Sequence, residues 1–456
     1  MAQRKTYHIE VWGCQMNVAD AAAAARRLEA LGYEEVPDPA DADLVLLETC
    51  CVREKPEHKI YSRLGELRPF KVARPSMRLG VCGCMAQKEG KAIFRNAPFV
   101  DLVIGPRSLH RLPAVLDALE ETGTRQLAIE MDDAPAAEAQ EFTRERRRGE
   151  LKAFVNIIEG CNYHCSYCIV PAVRGVFTSR PPAEVADEVR QLVDAGVKEV
   201  SLLGQSVLAY GRDAARAFDI VDLFSLLHEI PDLTRIRFTT NHPLEVNERI
   251  ITAVCEMPKV MEHFHMPIQA GDDLLLKAMR RGYTVERYEA LLAEIRDKIP
   301  GVSVTSDIIV GFPGETEEMF ARCVETYRRL RFDQQFLFVY SARPGTSAAT
   351  LPDQLPQAVK VARMNQLVAL QNAISVERNT EQLGMDYEVM VDGPSERDAG
   401  KLAGRARNNK ALVFTVDPDS PTPLPGALVT VRAETAHIWG FGGRMLHTLP
   451  SRLIAR

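Results

Sequence analysis

The sequence predicts an α/β protein in three parts: an amino-terminal doubly wound α/β domain, a central partial (β/α)6 barrel and a small all-β barrel at the carboxyl end. Three observations carry that reading. Apolar, strand-like runs alternate with amphipathic stretches of helical period from His8 to about Thr122 and again from Lys152 to about Leu383, the pattern of βα units on a parallel sheet. Between them, Met131–Phe142 is rich in Ala and acid and has no period, and Arg144–Arg148 follows as a basic run, which reads as a linker with a solvated tether, RNA contact being the competing reading of the arginines. After Met385 the pattern changes to short β runs separated by Pro, Gly and Asp/Asn turns, as in small closed barrels. The domains are placed at 5–122, 147–380 and 383–450.

In the first domain, His8–Trp12, Ala42–Leu47, Met77–Val81 and Val100–Ile104 read as strands. Helices follow over Ala19–Leu31, Val52–Leu67, Met85–Arg95 and Leu109–Glu121. Cys14, Cys50 and Cys84 each fall within three residues of a strand's carboxyl end, 36 and 34 residues apart. Ligand sites of open parallel sheets lie beyond those ends, so the three thiols should converge on one sheet edge.

The central region offers six strands: Ala153–Ile158, Glu199–Leu203, Arg235–Thr239, Glu262–Ile268, Ser303–Val310 and Gln334–Tyr340. Helices over Ala183–Ala195, Glu248–Met257, Val285–Lys298 and Glu315–Leu330 separate them, and Gln357–Leu383 leads away. Six units fall short of an eight-fold barrel, which leaves an open arc with its site at the strand carboxyl ends. Gln205, His242, Gln269 and Arg343 lie near such ends, and an Arg fork suits a carboxylate or phosphate. Asp307, inside an apolar strand, requires a partner. In the last domain, strands are expected at Tyr387–Val391, Leu412–Val416, Ala427–Ala433 and His437–Trp439. Arg397–Lys410 reads as a loop with five basic residues against one acid, a candidate RNA contact.

Composition narrows the class. The chain has 456 residues, 26% charged, with a net charge of −6, so disorder, collagen and coiled coil are excluded. No apolar run approaches the ~20 residues of a membrane span, and no signal-peptide core opens the chain. A cytoplasmic protein with no membrane partner is expected. Ten cysteines in such a compartment are mostly reduced, so spaced groups read as metal sites.

Cys161, Cys165 and Cys168 form Cys-x3-Cys-x2-Cys directly after the first central strand. Zinc fingers supply a second distant pair of ligands, which is missing here. Three thiolates in so short a loop can cap three irons of a [4Fe–4S] cube and leave the fourth open. Cys51 and Cys82 read as buried small residues or spare ligands, and Cys255 and Cys323 as core residues.

That loop, with Tyr167 before its last cysteine, resembles the radical S-adenosylmethionine superfamily. Glu159-Gly-Cys-Asn, Cys168-Ile-Val-Pro171, Arg174-Gly175, Ser179-Arg-Pro181, Leu203-Gly-Gln205, His242-Pro243, His265-Met-Pro-Ile-Gln269, Val310-Gly-Phe-Pro-Gly-Glu-Thr316 and Ser341-Ala-Arg-Pro-Gly-Thr346 resemble its methylthiotransferases more narrowly. Trp12-Gly-Cys14-Gln-Met-Asn17 points to the branch acting on dimethylallyl-adenosine in tRNA, and the terminal barrel is similar to the RNA-binding TRAM domain. The resemblance implies two [4Fe–4S] clusters, one on Cys161, Cys165 and Cys168, which carry the catalysis, and one on Cys14, Cys50 and Cys84. It implies S-adenosylmethionine bound with the help of Tyr167, Gly204, Gln205, Gln269 and Arg343. By family lines, cleavage of that cofactor yields a radical that takes hydrogen from C2 of the adenine, sulfur comes from the second cluster, and a second cofactor molecule gives the methyl group. The implied partners are tRNA, an electron donor and a sulfur or cluster source. Glu48 stands where the family commonly has Asn, and Ser206, Asn241 and Ala270 replace Asn, Ser and Ser. Two other readings compete: a methylthiotransferase for threonylcarbamoyl-adenosine or a ribosomal-protein aspartate, and a non-enzymatic iron–sulfur RNA sensor.

Overall fold

A computed structural model describes residues 4–51, 54–131, 150–213 and 217–450. The first domain is a parallel sheet of order β2-β1-β3-β4-β5-β6. Its strands are β1 (Thr6–Trp12), β2 (Glu34–Glu35), β3 (Leu44–Thr49), β4 (Arg78–Gly83), β5 (Leu102–Ile104) and β6 (Gln126–Ala128). Its helices are α1 (Gln15–Ala30), α2 (Glu54–Ala73), α3 (Cys84–Glu89), α4 (Lys91–Asn96) and α5 (Leu112–Thr122). Every residue of β3 is buried, as expected for a central parallel strand covered on both faces. The helix expected over Met85–Arg95 is two helices interrupted at Gly90. Two short edge strands, β2 and β6, join the sheet unannounced, so this domain runs through Ala128, beyond the boundary read at 122. The linker read at Met131–Phe142 and Arg144–Arg148 lies, after Met131, outside the described residues.

The central domain comprises β7 (Lys152–Asn156), β8 (Ile158–Glu159), α6 (Val170–Arg174), β9 (Thr178–Ser179), α7 (Pro182–Asp194), β10 (Glu199–Leu203), α8 (Ile220–His228), β11 (Arg235–Phe238) and α9 (Glu248–Glu256). It continues with β12 (His263–His265), α10 (Asp273–Ala278), α11 (Val285–Lys298), β13 (Ser303–Val310), α12 (Glu317–Leu330), β14 (Gln334–Val339) and α13 (Gln357–Thr380). Parallel sheets β11-β10-β7 and β12-β13-β14 meet through the bridge Ile236–Val260, which makes the expected six-stranded arc. The first strand ends at Asn156 rather than Ile158. The chain then steps into β8, which pairs antiparallel with β9 and launches the cysteine loop. Helices coat the outside with one apolar stripe each, such as Val185, Ala186, Val189 and Leu192 of α7.

The carboxyl domain is a closed barrel of order β15-β16-β17-β19-β18. Its strands are β15 (Asp386–Ser395), β16 (Asp398–Ala406), β17 (Ala411–Thr415), β18 (Leu428–His437) and β19 (Gly440–Thr448), around Val389, Val391, Leu412, Phe414, Val429, Val431 and Phe441. Two expectations fail here. Most of the supposed basic loop Arg397–Lys410 is strand β16, hydrogen-bonded on both sides. His437–Trp439 is the end of β18 and its hairpin turn.

The barrel is bolted to the amino-terminal ends of the arc strands. Buried Arg235 donates to the Arg405 carbonyl (2.7 Å) and to Glu388 (2.9 Å), and Arg237 to the carbonyls of Ala406 and Arg407 (both 3.0 Å). Arg407 grips Glu262 (2.6 Å) and the Pro258 carbonyl (2.8 Å). Arg407 and Lys410, read as RNA contacts, are therefore part of a domain interface.

Candidate active site

The loop between β8 and α6 carries Cys161, Cys165 and Cys168 at the carboxyl rim of the arc. Its backbone is pinned from several elements: Cys161 N–H donates to the Gly175 carbonyl (2.9 Å), Ser166 N–H to Met279 (3.1 Å), and Ala348 N–H to Ser166 (2.7 Å). Arg281 Nη1 donates to Cys165 Sγ at 3.2 Å while Nη2 holds the Pro267 carbonyl at 2.9 Å. Burial, with Cys165 nearby, pushes the Cys161 thiol up to about 12, and burial pushes Cys168 up to about 12. Ionised thiols at these places need positive compensation beyond Arg281. Iron bound to the sulfurs would supply it, so this soft three-thiol set fits an iron–sulfur cluster. No group of three or more His, Cys, Asp or Glu among the described residues is arranged to hold a metal ion. That does not count against a cube, whose corner ligands stand farther apart than those of one ion.

Beside the loop, the ends of β10 and β11 gather buried polar atoms that find no hydrogen-bond partner among the described residues. They are Gln205 Oε1, both amide atoms of Asn241, His242 Nε2, Glu245 Oε1 and the Tyr163 hydroxyl. The Tyr163 ring stacks on His242 at 3.8 Å and 9°, and His242 N–H donates to Ser206 Oγ at 3.3 Å. Burial pulls His242 down to about 2, so its ring is neutral, and pushes Glu245 up to about 8 although Arg212 lies 2.6 Å from its other oxygen. Buried polar atoms left unpaired in such a group mark the seat of a polar ligand. Gly204 allows the strand end to press on β8, since a Cβ there would stand 2.4 Å from Ile158 Cγ2.

The other residues proposed for the cofactor sit around the same rim. Tyr167 is half-buried, and desolvation raises its phenol well above the usual value, against the opposing charge of Arg281. Gln269 has φ 72°, held there by its N–H to the Asp307 backbone carbonyl (2.9 Å) and by the Ile309 N–H to its own carbonyl (3.0 Å). Arg343 is buried in the segment after β14, where its carbonyl accepts from Thr346 N–H (3.0 Å) and Oγ1 (2.8 Å). Asp307 finds its partner in His265, at 3.4 Å. Arg281, Tyr163 and Glu245 escaped sequence reasoning, because they come from loops with no pattern of their own.

The second set of thiols assembles at the carboxyl edge of the amino-terminal sheet. Cys14 opens α1, with its N–H on Asn17 Oδ1 at 3.1 Å. Cys50 follows β3 and Cys84 starts α3. A hydrogen bond with Cys50 pulls Cys14 down to about 6, and one with Cys51, helped by Arg174, pulls Cys84 down to about 7. Cys51 thus lies beside the set. Cys82 belongs to a different core cluster, and burial drives its thiol well up. Of the two cysteines expected in the central core, Cys323 is buried but Cys255, near the end of α9, is exposed. Glu48 accepts from Asn17 Nδ2 at 2.9 Å, and burial with Asp20 nearby raises its carboxyl well above the usual range. At Gly83 (φ 91°) a Cβ would meet Glu48 Oε1 at 2.2 Å. The donor set is again soft and thiol-rich, and it fits a second cluster.

A six-stranded βα arc with three loop cysteines after its first strand defines a radical S-adenosylmethionine enzyme, and residues 155–326 match the model of the Radical SAM superfamily. Residues 6–105 match the model described as Uncharacterized protein family UPF0004. The chain is 43% identical over 445 residues to the tRNA-2-methylthio-N(6)-dimethylallyladenosine synthase of Moorella thermoacetica, covering 97% of this chain and 99% of that protein. It is 44% identical to the Desulforamulus reducens protein of the same name (95% and 93% covered) and 40% to that of Burkholderia thailandensis (97% and 97%). The chain belongs to this family of radical S-adenosylmethionine transferases, which use S-adenosylmethionine and a [4Fe–4S] cluster. Among solved structures it resembles the radical S-adenosylmethionine methyltransferase TsrM of Kitasatospora setae, with TM-score 0.55 and 16% identity over 76% of this chain and 77% of that one. It also resembles the cobalamin-dependent radical enzyme OxsB, with TM-score 0.52 and 10% identity over 81% and 56%. These two likenesses concern the fold alone. No helix among the described residues is long and apolar enough to cross a membrane.

Proposed function

We propose that the protein converts N6-dimethylallyladenosine next to the anticodon of tRNA to its 2-methylthio derivative. The observation that carries this reading is the pairing of two thiol sets, half-buried Cys161/Cys165/Cys168 on the arc and Cys14/Cys50/Cys84 on the sheet edge, in a chain alike over 97% of its length to proteins named for that reaction. The first set would hold the [4Fe–4S] cluster that engages S-adenosylmethionine, and the second an additional cluster. When bound, cluster and cofactor together supply the one-electron chemistry needed to activate an aromatic C–H that acid–base catalysis cannot reach.

The chain's own residues perform the rest. Gln205, Asn241, Tyr163 and Glu245 offer unpaired polar atoms at one end of the arc, and with Tyr167, Gly204, Gln269 and Arg343 they seat the cofactor. Neutral His242 stacks on Tyr163 and keeps that wall rigid. Apolar packing around the loop keeps the cleft poor in water. The terminal barrel, TRAM-like in topology, holds the tRNA. An electron donor and a sulfur or cluster source act from outside the chain.

Mass spectrometry of tRNA nucleosides tests the reading. A deletion strain should lack 2-methylthio-N6-dimethylallyladenosine and regain it on complementation. Restoration of the threonylcarbamoyl derivative instead, or of methylthiolated ribosomal protein, overturns the substrate. Failure of reduced protein to form 5′-deoxyadenosine from S-adenosylmethionine overturns the reaction and favours a sensor.

A further inference from the structure

Arg174 is the last residue of α6, six positions after Cys168. It is nevertheless built into the other thiol set. Its Nε donates to Cys84 Sγ at 3.3 Å, and its Nη2 pairs with Asp20 on α1, the helix that Cys14 opens. The residues before it, Ile169 and Val173, are buried in the core of the amino-terminal domain beside Cys51, Cys84 and Met85. The segment leaving the arc's cysteine loop is therefore embedded in the domain that carries Cys14, Cys50 and Cys84.

The side chain is 4% exposed. Asp20, Cys84 and Glu159 interact with it, Glu48 and Asp20 act on each other nearby, and Arg107 donates to the Arg174 carbonyl at 3.4 Å. Arg174 Nη1 has no acceptor among the described residues. A buried guanidinium with one donor group idle is costly, and the deficit points to an anion that belongs in the space beside Cys84. Sulfur bound to a cluster at Cys14, Cys50 and Cys84 is such an anion.

We propose that Arg174 is a positioning residue for the second cluster: it ties Cys84 and the Cys14 helix to the segment that follows Cys168, and it offers Nη1 to cluster-bound sulfur. The proposal rests on the two-cluster reading. Hydrogen bonds and positive charge at cluster sulfurs stabilise the reduced form and raise the reduction potential, so Arg174 should be visible in the potential and not only in activity.

The experiment uses full-length Cys161→Ala/Cys165→Ala/Cys168→Ala protein, reconstituted anaerobically, so that only the second cluster contributes. Iron content and the midpoint potential, followed by electron paramagnetic resonance, are compared with the same protein carrying Arg174→Gln or Arg174→Lys. About four irons per chain are expected in all three. The potential should move to more negative values in Arg174→Gln and by less in Arg174→Lys, which keeps the charge and loses the fork. If Arg174→Gln does not retain iron, Arg174→Lys decides alone. An unmoved potential with four irons bound overturns the role of Arg174 and leaves the two clusters standing. Absence of iron from the triple alanine protein overturns both.

Discussion

Lys410, at the turn leading into β17, sets its ammonium 3.1 Å from Asp333 Oδ1 at the foot of β14. This ion pair joins Arg235–Glu388 and Arg407–Glu262 in clamping the terminal barrel to the radical S-adenosylmethionine arc. Asp333 also accepts from Val304 N–H at 2.9 Å and from Arg378 Nε at 3.2 Å, and Lys410 also reaches Asn379 at 2.7 Å. Burial alone would raise the Asp333 carboxyl, but Lys410, Arg378 and the Val304 amide outweigh it and hold it below the usual value.

Asp333→Asn leaves Lys410 and Arg378 without their anion, and a broken buried pair costs about 3–5 kcal/mol. Thermal unfolding near pH 7 should show that loss. The sign of its pH dependence follows from the depressed carboxyl. Its contribution is full above the unfolded value of about 3.9 and fades only as pH falls through the lower folded value. The gap between wild type and variant should therefore be flat from pH 8 to 5 and close below about pH 4.

Arg405 and Arg407, two residues apart, should behave oppositely toward tRNA. Arg407 is committed to Glu262 and the Pro258 carbonyl. Arg405 lines a cavity of about 470 Å³ with Lys152, Arg237, Phe336 and Trp439, which extends to Gln15 next to Cys14. Arg405→Ala should reduce the log–log salt slope of tRNA binding by about 0.7–0.9, the share of one phosphate contact. Arg407→Ala should lower the unfolding temperature and leave the slope alone. Filter binding across a salt series separates the two.

The same contrast shows what the sequence could and could not reveal. Leu44–Leu47 was legible as a strand because both of its faces are buried, and such a strand reads as an unbroken apolar run. β16 was not, because a barrel strand needs few inward side chains. Leu402 and Ala406 meet the barrel core while Lys401, Arg405 and two glycines dilute the pattern. Strands of two and three residues such as β2 and β6 are too short to carry any period. The cysteines were legible because thiols at strand ends follow topology. Arg281 and Tyr163 depend on how distant loops fold back over the rim, and spacing in the chain says nothing about that.

Full-length protein reconstituted under anaerobic conditions should hold about eight irons, and removal of Cys161, Cys165 and Cys168 should leave about four. Iron analysis paired with a 5′-deoxyadenosine assay checks this. The triple variant should form none, because Cys161, Cys165 and Cys168 are the thiols of the loop on the arc's rim. Persistent cofactor cleavage would remove that loop from the mechanism.

Cys50→Ala and Cys84→Ala should each stop methylthiolation while cofactor cleavage continues, because the arc's cysteine loop stays intact. Cys82→Ala should be silent in both assays: Cys82 belongs to the core cluster that holds Leu46 and Leu102, and not to the one that holds Cys51 and Cys84. It should cost only about 1 kcal/mol of packing. Cys51→Ala is the discriminating case. Its thiol hydrogen-bonds Cys84, yet it is wholly buried in the core cluster that holds Leu47, Ile60 and Leu64, whereas Cys14 is exposed. The variant should keep a second cluster of about four irons and lose about 1 kcal/mol of stability. Loss of iron in Cys51→Ala with retention in Cys50→Ala would transfer the ligand role from Cys50 to its neighbour.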